Sequence, residues 1–119
     1  MTLNDELDAI VKGQPGVQQA MVMAFDGISV ATASRGGDTE RDSETVIESA
    51  NLLRQYIKLF QEDRQANIRE FVIRTDTHQY LFKPITDEYF LCVIMDERAL
   101  FGKIRFDLDR RSPTIASAL

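Results

Sequence analysis

The sequence of 119 residues is poor in the residue types that most often carry chemistry, with one cysteine and one histidine. A single cysteine cannot form an intrachain disulfide, and Cys92 lies in the apolar run YFLCVIM, where a small buried thiol is expected. No apolar run approaches the roughly 18 residues of a membrane span, and MTLNDELDAI lacks the basic start and apolar stretch of a secretion signal. We therefore expect a cytoplasmic protein.

Positive charge is also scarce, because 14 Lys and Arg residues stand against 19 Asp and Glu, which gives a net charge of -5. Nucleic acid binding needs clustered cations that neutralise phosphates, so nucleic acid is not expected as a partner. The contents of 44% hydrophobic and 28% charged residues are ordinary for a folded domain. At this length we expect one domain over residues 1–119, since two would each be near the lower size limit for a core.

The usual sequence motifs of enzymes are missing as well. His78 lies in the predicted turn DTHQ and has no second histidine or cysteine at a metal-ligand spacing. Gly36-Gly37-Asp38 is not followed by the lysine of a phosphate-binding loop, and the carboxylate pairs 87–88 and 107/109 have no partner base. We predict no catalytic, cofactor-binding or metal-binding residues and no enzymatic activity of its own.

The first part of the chain predicts a helix followed by a β-hairpin. Apolar residues recur at helical spacing from Leu3 to Val11, and Thr2 with Asp5 has the spacing of a capping box. Glycine and proline at positions 13, 15 and 16 should end this helix. Residues 17–25 and 28–34 read as two strands, joined by Asp26-Gly27, a dipeptide that supplies the positive φ angles of a tight hairpin turn.

A long helix is predicted from Ser43 to about Glu62, with Asp42 or Ser43 as its cap. Its apolar residues form two adjacent stripes that together sweep roughly 180°, against the roughly 100° usual for a helix on one core. The first stripe contains Val46, Ala50, Leu53, Ile57 and Phe60, and the second contains Leu52, Tyr56 and Leu59. We expect another surface to cover the second stripe, although an unusually broad monomer core is an alternative.

Three strands are predicted after the long helix, over residues 69–75, 79–85 and 89–96. Short connections imply antiparallel neighbours. The last of these runs is almost continuously apolar, as in a central strand covered on both faces, whereas Pro84 belongs at an edge, bulge or strand end. Helices are therefore expected on both faces of the sheet.

The final segment fits two patterns, because residues 100–108 have a helical apolar stripe while residues 103–109 also alternate like a strand. We prefer the helix. Pro113 should end or kink it near Ser112, which would leave residues 111–119 as a separate short helix or a frayed tail.

The order of these elements and their local patterns resemble the Roadblock/LC7 domain family, particularly its bacterial MglB-like branch. The matching segments are VQQAMVMAFDGISVATAS, in which Ala31 follows Asp26-Gly27, then the long helix, and then YFLCVIMDERALFGKIRF, in which Gly102 opens the last helix. The resemblance covers nearly the whole chain. It implies an α+β, profilin-like fold, with an antiparallel sheet of about five strands between the long helix and the terminal helices.

Roadblock domains form homodimers or heterodimers by pairing their third strands and packing their long helices together. For this chain the resemblance implies a homodimer in which the second stripe lies near the two-fold axis. The implied interface residues are Leu52, Tyr56, Leu59, Phe71, Val72, Ile73, Arg74 and Thr75.

MglB-like members bind a small Ras-like, MglA-like GTPase and can stimulate GTP hydrolysis by remodelling its switch regions without inserting a catalytic arginine. The implied contact residues lie on the polar face of the long helix. They are Glu44, Glu48, Asn51, Gln55 and Lys58. One alternative is a scaffold or light-chain-like subunit that leaves hydrolysis unchanged. Another is a sensory module holding a small ligand against its sheet, although no obvious polar cluster lies within the strands.

Overall fold

The computed structural model describes residues 2–36 and 40–119, and for residues 40–43 it describes the backbone alone. In these ranges the helices are α1 (Leu3–Gly13), α2 (Glu40–Arg64) and α3 (Phe101–Ser117). The strands are β1 (Val17–Ala24), β2 (Ser29–Ser34), β3 (Phe71–Arg74), β4 (His78–Pro84) and β5 (Tyr89–Asp96). The chain therefore alternates helices with pairs or triplets of strands, in the predicted order.

The strands form one antiparallel, 5-stranded sheet in the order β2-β1-β5-β4-β3. On one face α1 and α3 contribute Leu7 and Leu108 to the core, and on the other face α2 contributes Leu53. The interior of β5 is buried at every position because the strand is central and covered on both sides. This arrangement confirms the predicted α+β fold and the predicted position of the helices.

The hairpin between β1 and β2 is confirmed, but its turn differs from the expected one. The amide of Gly27 donates to the carbonyl of Ala24 at 2.9 Å, and the amide of Ala24 donates to the carbonyl of Ile28 at 2.8 Å. The loop therefore has three residues, and Gly27 has a positive φ of 97° while Asp26 does not. Such a loop needs a left-handed conformation only at its last position, so one glycine is sufficient.

The start of α2 corrects another prediction. The helix begins at Glu40, so Asp42 and Ser43 lie inside it, and the prediction that one of them caps it is wrong. No glycine or proline interrupts residues 40–43, and Glu and Arg favour helix. The capping pattern was therefore outweighed by ordinary helix propensity. Gly37 and Asp38 of the predicted loop lie outside the described residues.

The turn between β3 and β4 lies one residue earlier than predicted, so β3 ends at Arg74 and β4 begins at His78. Thr75 leaves β3, and its hydroxyl accepts hydrogen bonds from the amides of Thr77 at 3.2 Å and His78 at 3.0 Å. His78, predicted to lie in the turn, is instead the half-buried first residue of β4. A threonine hydroxyl that binds nearby amides competes with the strand ladder, which explains the early end of β3.

Pro113 does not end α3, which continues to Ser117 without a separate terminal helix or frayed tail over residues 111–117. The missing amide of proline removes one hydrogen bond. The final turn is held by Ile115, which is fully buried, and by the Ser117 hydroxyl, which donates to the carbonyl of Pro113 at 3.0 Å. Burial of one isoleucine is worth about 2 kcal/mol and offsets most of the cost of the proline.

A charged cluster joins α1 to α3 beside the core. The guanidinium of Arg111 lies 2.7 Å from the carboxylate of Glu6 and 3.0 Å from that of Asp107, and Arg110 also binds Asp107, at 2.6 Å. Burial alone would raise the pKa of Asp107, but hydrogen bonds from Arg110 and Arg111 outweigh it and lower that pKa. The cluster thus holds Asp107 charged and ties the two helices together.

Candidate protein interaction site

The first apolar stripe of α2 faces the sheet over most of its length. Val46, Ala50 and Leu53 have exposed fractions of 0%, 1% and 0%, and Ile57 is half-buried. Phe60 departs from the prediction, because 41% of it is exposed. All residues from Lys58 to Arg64 are exposed, so the last turns of α2 extend beyond the part of the helix that the sheet covers.

The second stripe is only half covered in a single copy of the chain. Leu52, Tyr56 and Leu59 keep 50%, 44% and 48% of their surfaces exposed. Three large apolar residues in one row on a helix form an exposed patch of the kind that usually marks an interaction site.

Tyr56 connects this stripe to the edge strand β3. Its ring lies 6.1 Å from that of Phe71, and Phe71 contacts Phe82 at 5.9 Å between ring centroids. The stripe and β3 are therefore neighbours on the same side of the molecule. The structure brings together the helix and strand parts of the predicted dimer surface.

Strand β3 is an edge of the sheet, paired on one side with β4. Its other side therefore presents backbone amides and carbonyls for pairing. Val72 is 40% exposed, whereas Phe71 and Ile73 are half-buried against α2. Thr75, also predicted to lie on this edge, belongs to the turn and not to the strand.

The five polar residues predicted to contact a partner are all exposed on α2. Glu44, Glu48, Asn51 and Gln55 lie at successive intervals of three or four residues, on the side of the helix opposite Leu53. Lys58 lies on a flank and lines a groove of about 520 Å³ between α2 and the turn after β4. The set is thus one continuous row with Lys58 at its border.

Sequence reasoning missed that groove. Its apolar lining comes from Phe25, Ile57, Ile68, Pro84 and Ile85. Arg54 lies at the same groove, with its guanidinium carbon 6.0 Å from the centre of the Phe25 ring. These residues come from separate parts of the chain, so no local pattern indicates that they meet.

A second small cavity corrects the expectation that the strands hold no polar cluster. Gln19, Ser34, His78 and Tyr80 line a cavity of about 170 Å³ together with Gln18. The side-chain oxygen of Gln19 is buried there without a hydrogen-bond partner among the described residues. The antiparallel register of β1, β5 and β4 places these residues side by side, and register cannot be read from the sequence of any one strand.

The one cysteine of the chain lies in the core. Cys92 is buried in the core under α2, as expected. Among residues 2–36 and 40–119, no three His, Cys, Asp or Glu side chains are grouped to hold a metal ion. In the same ranges, no helix combines the length and apolar character needed to cross a membrane.

Known proteins that resemble this chain share its fold over at least 97% of its length. MglC from Myxococcus xanthus is 25% identical, with a TM-score of 0.71, and the match covers 100% of both chains. MglB from Myxococcus xanthus is 13% identical, with a TM-score of 0.82 over 97% of this chain and 92% of that one. Profilin IB from Acanthamoeba castellanii is 13% identical, with a TM-score of 0.63 over 98% of each chain.

No curated protein matches the sequence of this chain. The model of the Roadblock/LC7 domain matches residues 3–95, from the start of α1 almost to the end of β5. With this match over most of the chain, and with the fold of MglB and MglC, the chain belongs to the Roadblock/LC7 family.

Proposed function

We propose that this protein is a homodimeric regulator that binds a small Ras-like GTPase of the MglA-like kind and stimulates its GTP hydrolysis by remodelling its switch regions. The observation that carries the proposal is the half-exposed row Leu52, Tyr56 and Leu59 beside the open edge of β3. Membership of the Roadblock/LC7 family and the similarity to MglB and MglC support it.

A dimer would cover both exposed features, the apolar row on α2 and the open edge of β3, in a single interface. Fully burying a large apolar side chain stabilises by about 1.5–3 kcal/mol, so the half still exposed on each of these residues is worth roughly 1 kcal/mol. Two copies related by a two-fold axis would contribute the row twice. Pairing of β3 with its twin would also remove an unpaired sheet edge.

The dimer leaves the polar row of α2 facing outward in both copies. Glu44 and Glu48 would meet basic groups beside a GTPase switch, while Asn51 and Gln55 would donate and accept hydrogen bonds. By binding the hydrolysis-competent arrangement more tightly, the dimer would raise its population. The GTPase would supply the nucleotide contacts and the chemistry, so the dimer needs no catalytic residue of its own.

The test is the rate of phosphate release from a purified MglA-like GTPase loaded with GTP, measured with and without this protein. We expect a rise of about tenfold or more, below the 10³–10⁵ of an inserted arginine. Glu48→Lys and Gln55→Arg should reduce the effect, whereas Lys103→Glu, an exposed charge change on α3, should not. Absence of both binding and a rate change would contradict the proposal.

The scaffold or light-chain-like subunit is the second candidate, because the same exposed surfaces serve stable binding equally well. A stable complex with unchanged phosphate release would select it. The sensory module is the third candidate, and the polar cavity around Gln19 is the feature that favours it. A small molecule retained by the protein in native mass spectrometry would support that candidate.

A further inference from the structure

One wall of the groove between α2 and the turn after β4 is positively charged. Arg54 and Lys58 line this wall from α2, and because they are four residues apart their side chains leave the same flank of the helix one turn apart. Both are exposed, and neither forms an ion pair with another described residue. The wall therefore attracts negative charge at two points.

The floor of the groove is apolar. Ile57, Ile68 and Ile85 are half-buried there, beside the buried ring of Phe25. At Phe25 the groove adjoins a second hollow of about 360 Å³, which is bordered by Ile28, 65% exposed. A small molecule is usually enclosed by its pocket, so a long apolar surface open to solvent suits a segment of protein better.

The backbone around the groove shows which kind of segment fits. The amide of Phe25 donates to the carbonyl of Glu88 at 3.0 Å. The amides of Ile85 and Thr86 both donate to the carbonyl of Tyr89, at 2.9 Å and 3.2 Å. An added strand would find these amides already used, whereas a helix satisfies its own backbone and needs only side-chain contacts.

The wall opposite α2 has the opposite charge. Asp87 lines this wall, and it is the one acidic residue among the described residues that line the groove. The second hollow adds Asp26 and Glu88 on the same side. Carboxylates of a bound helix would therefore be attracted to α2 and repelled by the turn, which fixes the orientation of an acidic helix in the groove.

The structure describes every element that borders the groove, namely residues 54–61 of α2, residues 67–68 and residues 84–87. Along α2, Arg54 is about 16 Å from Ser43. Gly36 lies near the start of β1, where the amide of Arg35 donates to the carbonyl of Gln18 at 2.9 Å, whereas Phe25 follows the end of β1. The groove is thus at the other end of the sheet from Gly36.

We propose that this groove binds an amphipathic helix of a partner protein, with an apolar row on the groove floor and two carboxylates, one turn apart, facing Arg54 and Lys58. The guanidinium of Arg54 can bind one carboxylate through two parallel hydrogen bonds. The chain has a net charge of -5, but charges farther than about 8 Å are largely screened at physiological ionic strength. The two nearby cations therefore decide which ligand charge is favoured.

This surface differs from the proposed dimer seam. Arg54 and Leu52 are two residues apart, which places them about 200° apart around the helix, on opposite flanks. A dimer formed through Leu52 and β3 leaves both grooves open. Lys58 also belongs to the proposed GTPase contact, so the test depends on Arg54. Failure of the GTPase assay would leave this proposal standing, and failure of helix binding would leave the dimer standing.

The experiment uses the full chain labelled with ¹⁵N and an acetylated, amidated helical peptide of about four turns. The peptide has leucine at helical spacing and pairs of glutamates, one turn apart, beside the leucine row. We expect the amides of residues 54–61 and 84–87 to shift on titration. A peptide with lysine in place of glutamate should bind at least about fivefold more weakly, and one with serine in place of leucine should not bind at millimolar concentration.

Variants at Arg54 test the charge contact directly. Arg54→Glu replaces an attraction by a repulsion and should weaken binding of the glutamate peptide by about fivefold or more. Lys103→Glu makes the same change of sign on an exposed residue of α3, on the other face of the sheet, and should bind like the natural chain. The lysine peptide should bind Arg54→Glu more tightly than it binds the natural chain, a gain that a folding defect would not produce.

Several results would overturn the proposal. They are no binding of the glutamate peptide at millimolar concentration, shifts confined to residues 44–52 or 71–74, or equal affinity of the Arg54→Glu and Lys103→Glu variants. Equal binding of a peptide with a central proline would exclude a helix as the occupant. Concentration-dependent shifts of residues 54–61 and 84–87 without peptide would assign the groove to a second copy of the chain.

Discussion

Gly16 occupies a position of the fold that leaves no room for a side chain. It joins α1 to β1 with a φ of 90°, and a Cβ built on it would lie 2.4 Å from the backbone nitrogen of Ala99. Both the backbone conformation and the lack of space therefore require glycine. Gly16 holds the end of α1 against the segment between β5 and α3, which its carbonyl also contacts by accepting the amide of Asp96 at 2.8 Å.

Gly16→Ala should lower the free energy of unfolding by about 2 kcal/mol or more, because it adds both backbone strain and a clash. The matched control is Gly13→Ala, where an added Cβ meets nothing within 4 Å. Alanine there should change stability by at most about 1 kcal/mol. Urea unfolding of both variants measures the difference, and equal stabilities would contradict the close contact at Gly16.

At the level of elements, α1 and α3 are coupled through the cluster of Glu6, Asp107 and Arg111 as well as through the core. Arg111 reaches across from α3 to the buried Glu6. Residues 111–119 were predicted to form a separate short helix or a frayed tail because of Pro113. Arg111 instead ties the start of this segment to α1. Arg111 precedes Pro113, and Ile115 follows it, so the chain is anchored on both sides of the proline.

The cluster predicts a loss of stability in acid. The pKa of Asp107 is lower in the folded chain than its ordinary value of 3.8, so its stabilising effect is complete above the unfolded pKa and is lost as the pH falls through the folded pKa. Asp107→Asn should remove about 1 kcal/mol at neutral pH. It should also flatten the stability profile below about pH 4.

Unfolding by urea at several pH values measures this profile. Asp5 and Asp96 also have lowered pKa values, Asp5 mainly through the amide of Thr2 and Asp96 mainly through the side chain of Arg98. Their contribution remains in the variant, so the difference between the two profiles belongs to Asp107. Parallel profiles for the variant and the natural chain would exclude a stabilising role for its charge.

The elements themselves were largely predictable, because each has a strong local pattern. Strand β5 is apolar throughout, and Thr2 with Asp5 forms the predicted capping box, with the Asp5 amide donating to the Thr2 hydroxyl at 3.1 Å. Local effects account for the wrong start of α2 and the wrong end of β3, whereas two other predictions failed because contacts between distant residues decided the outcome. Burial of Ile115 keeps α3 helical beyond Pro113. The pairing of separate strands brings together the polar residues that line the cavity around Gln19.

At the level of the whole molecule, the row of Leu52, Tyr56 and Leu59 can be recognised in the sequence as an excess of apolar surface. Its exposure, its contact with Phe71 and its place beside β3 needed the fold. The groove at Arg54 left no signal in the sequence, because its lining residues come from separate parts of the chain. The interface and GTPase contacts remain predictions from the family.

Assembly is tested by placing a charge in the proposed seam. Leu52→Glu and Leu59→Glu should each raise the dissociation constant of the proposed homodimer by at least about a hundredfold, since one buried, unpaired charge costs roughly 3 kcal/mol and the seam would contain two. Phe106→Glu is the matched control, because Phe106 is 72% exposed on α3, away from the seam. Light scattering that shows a full dimer for both leucine variants would contradict the placement.

The exposure of Tyr56 beside Phe71 also has a spectroscopic consequence. The chain has no tryptophan and three tyrosines, so tyrosine dominates its near-ultraviolet emission. Of these three, Tyr80 and Tyr89 are half-buried within strands, whereas Tyr56 is 44% exposed in the proposed seam. Association of two copies would exclude water from Tyr56, the most exposed of the three tyrosines. The tyrosine fluorescence of the natural chain should therefore change when two copies associate.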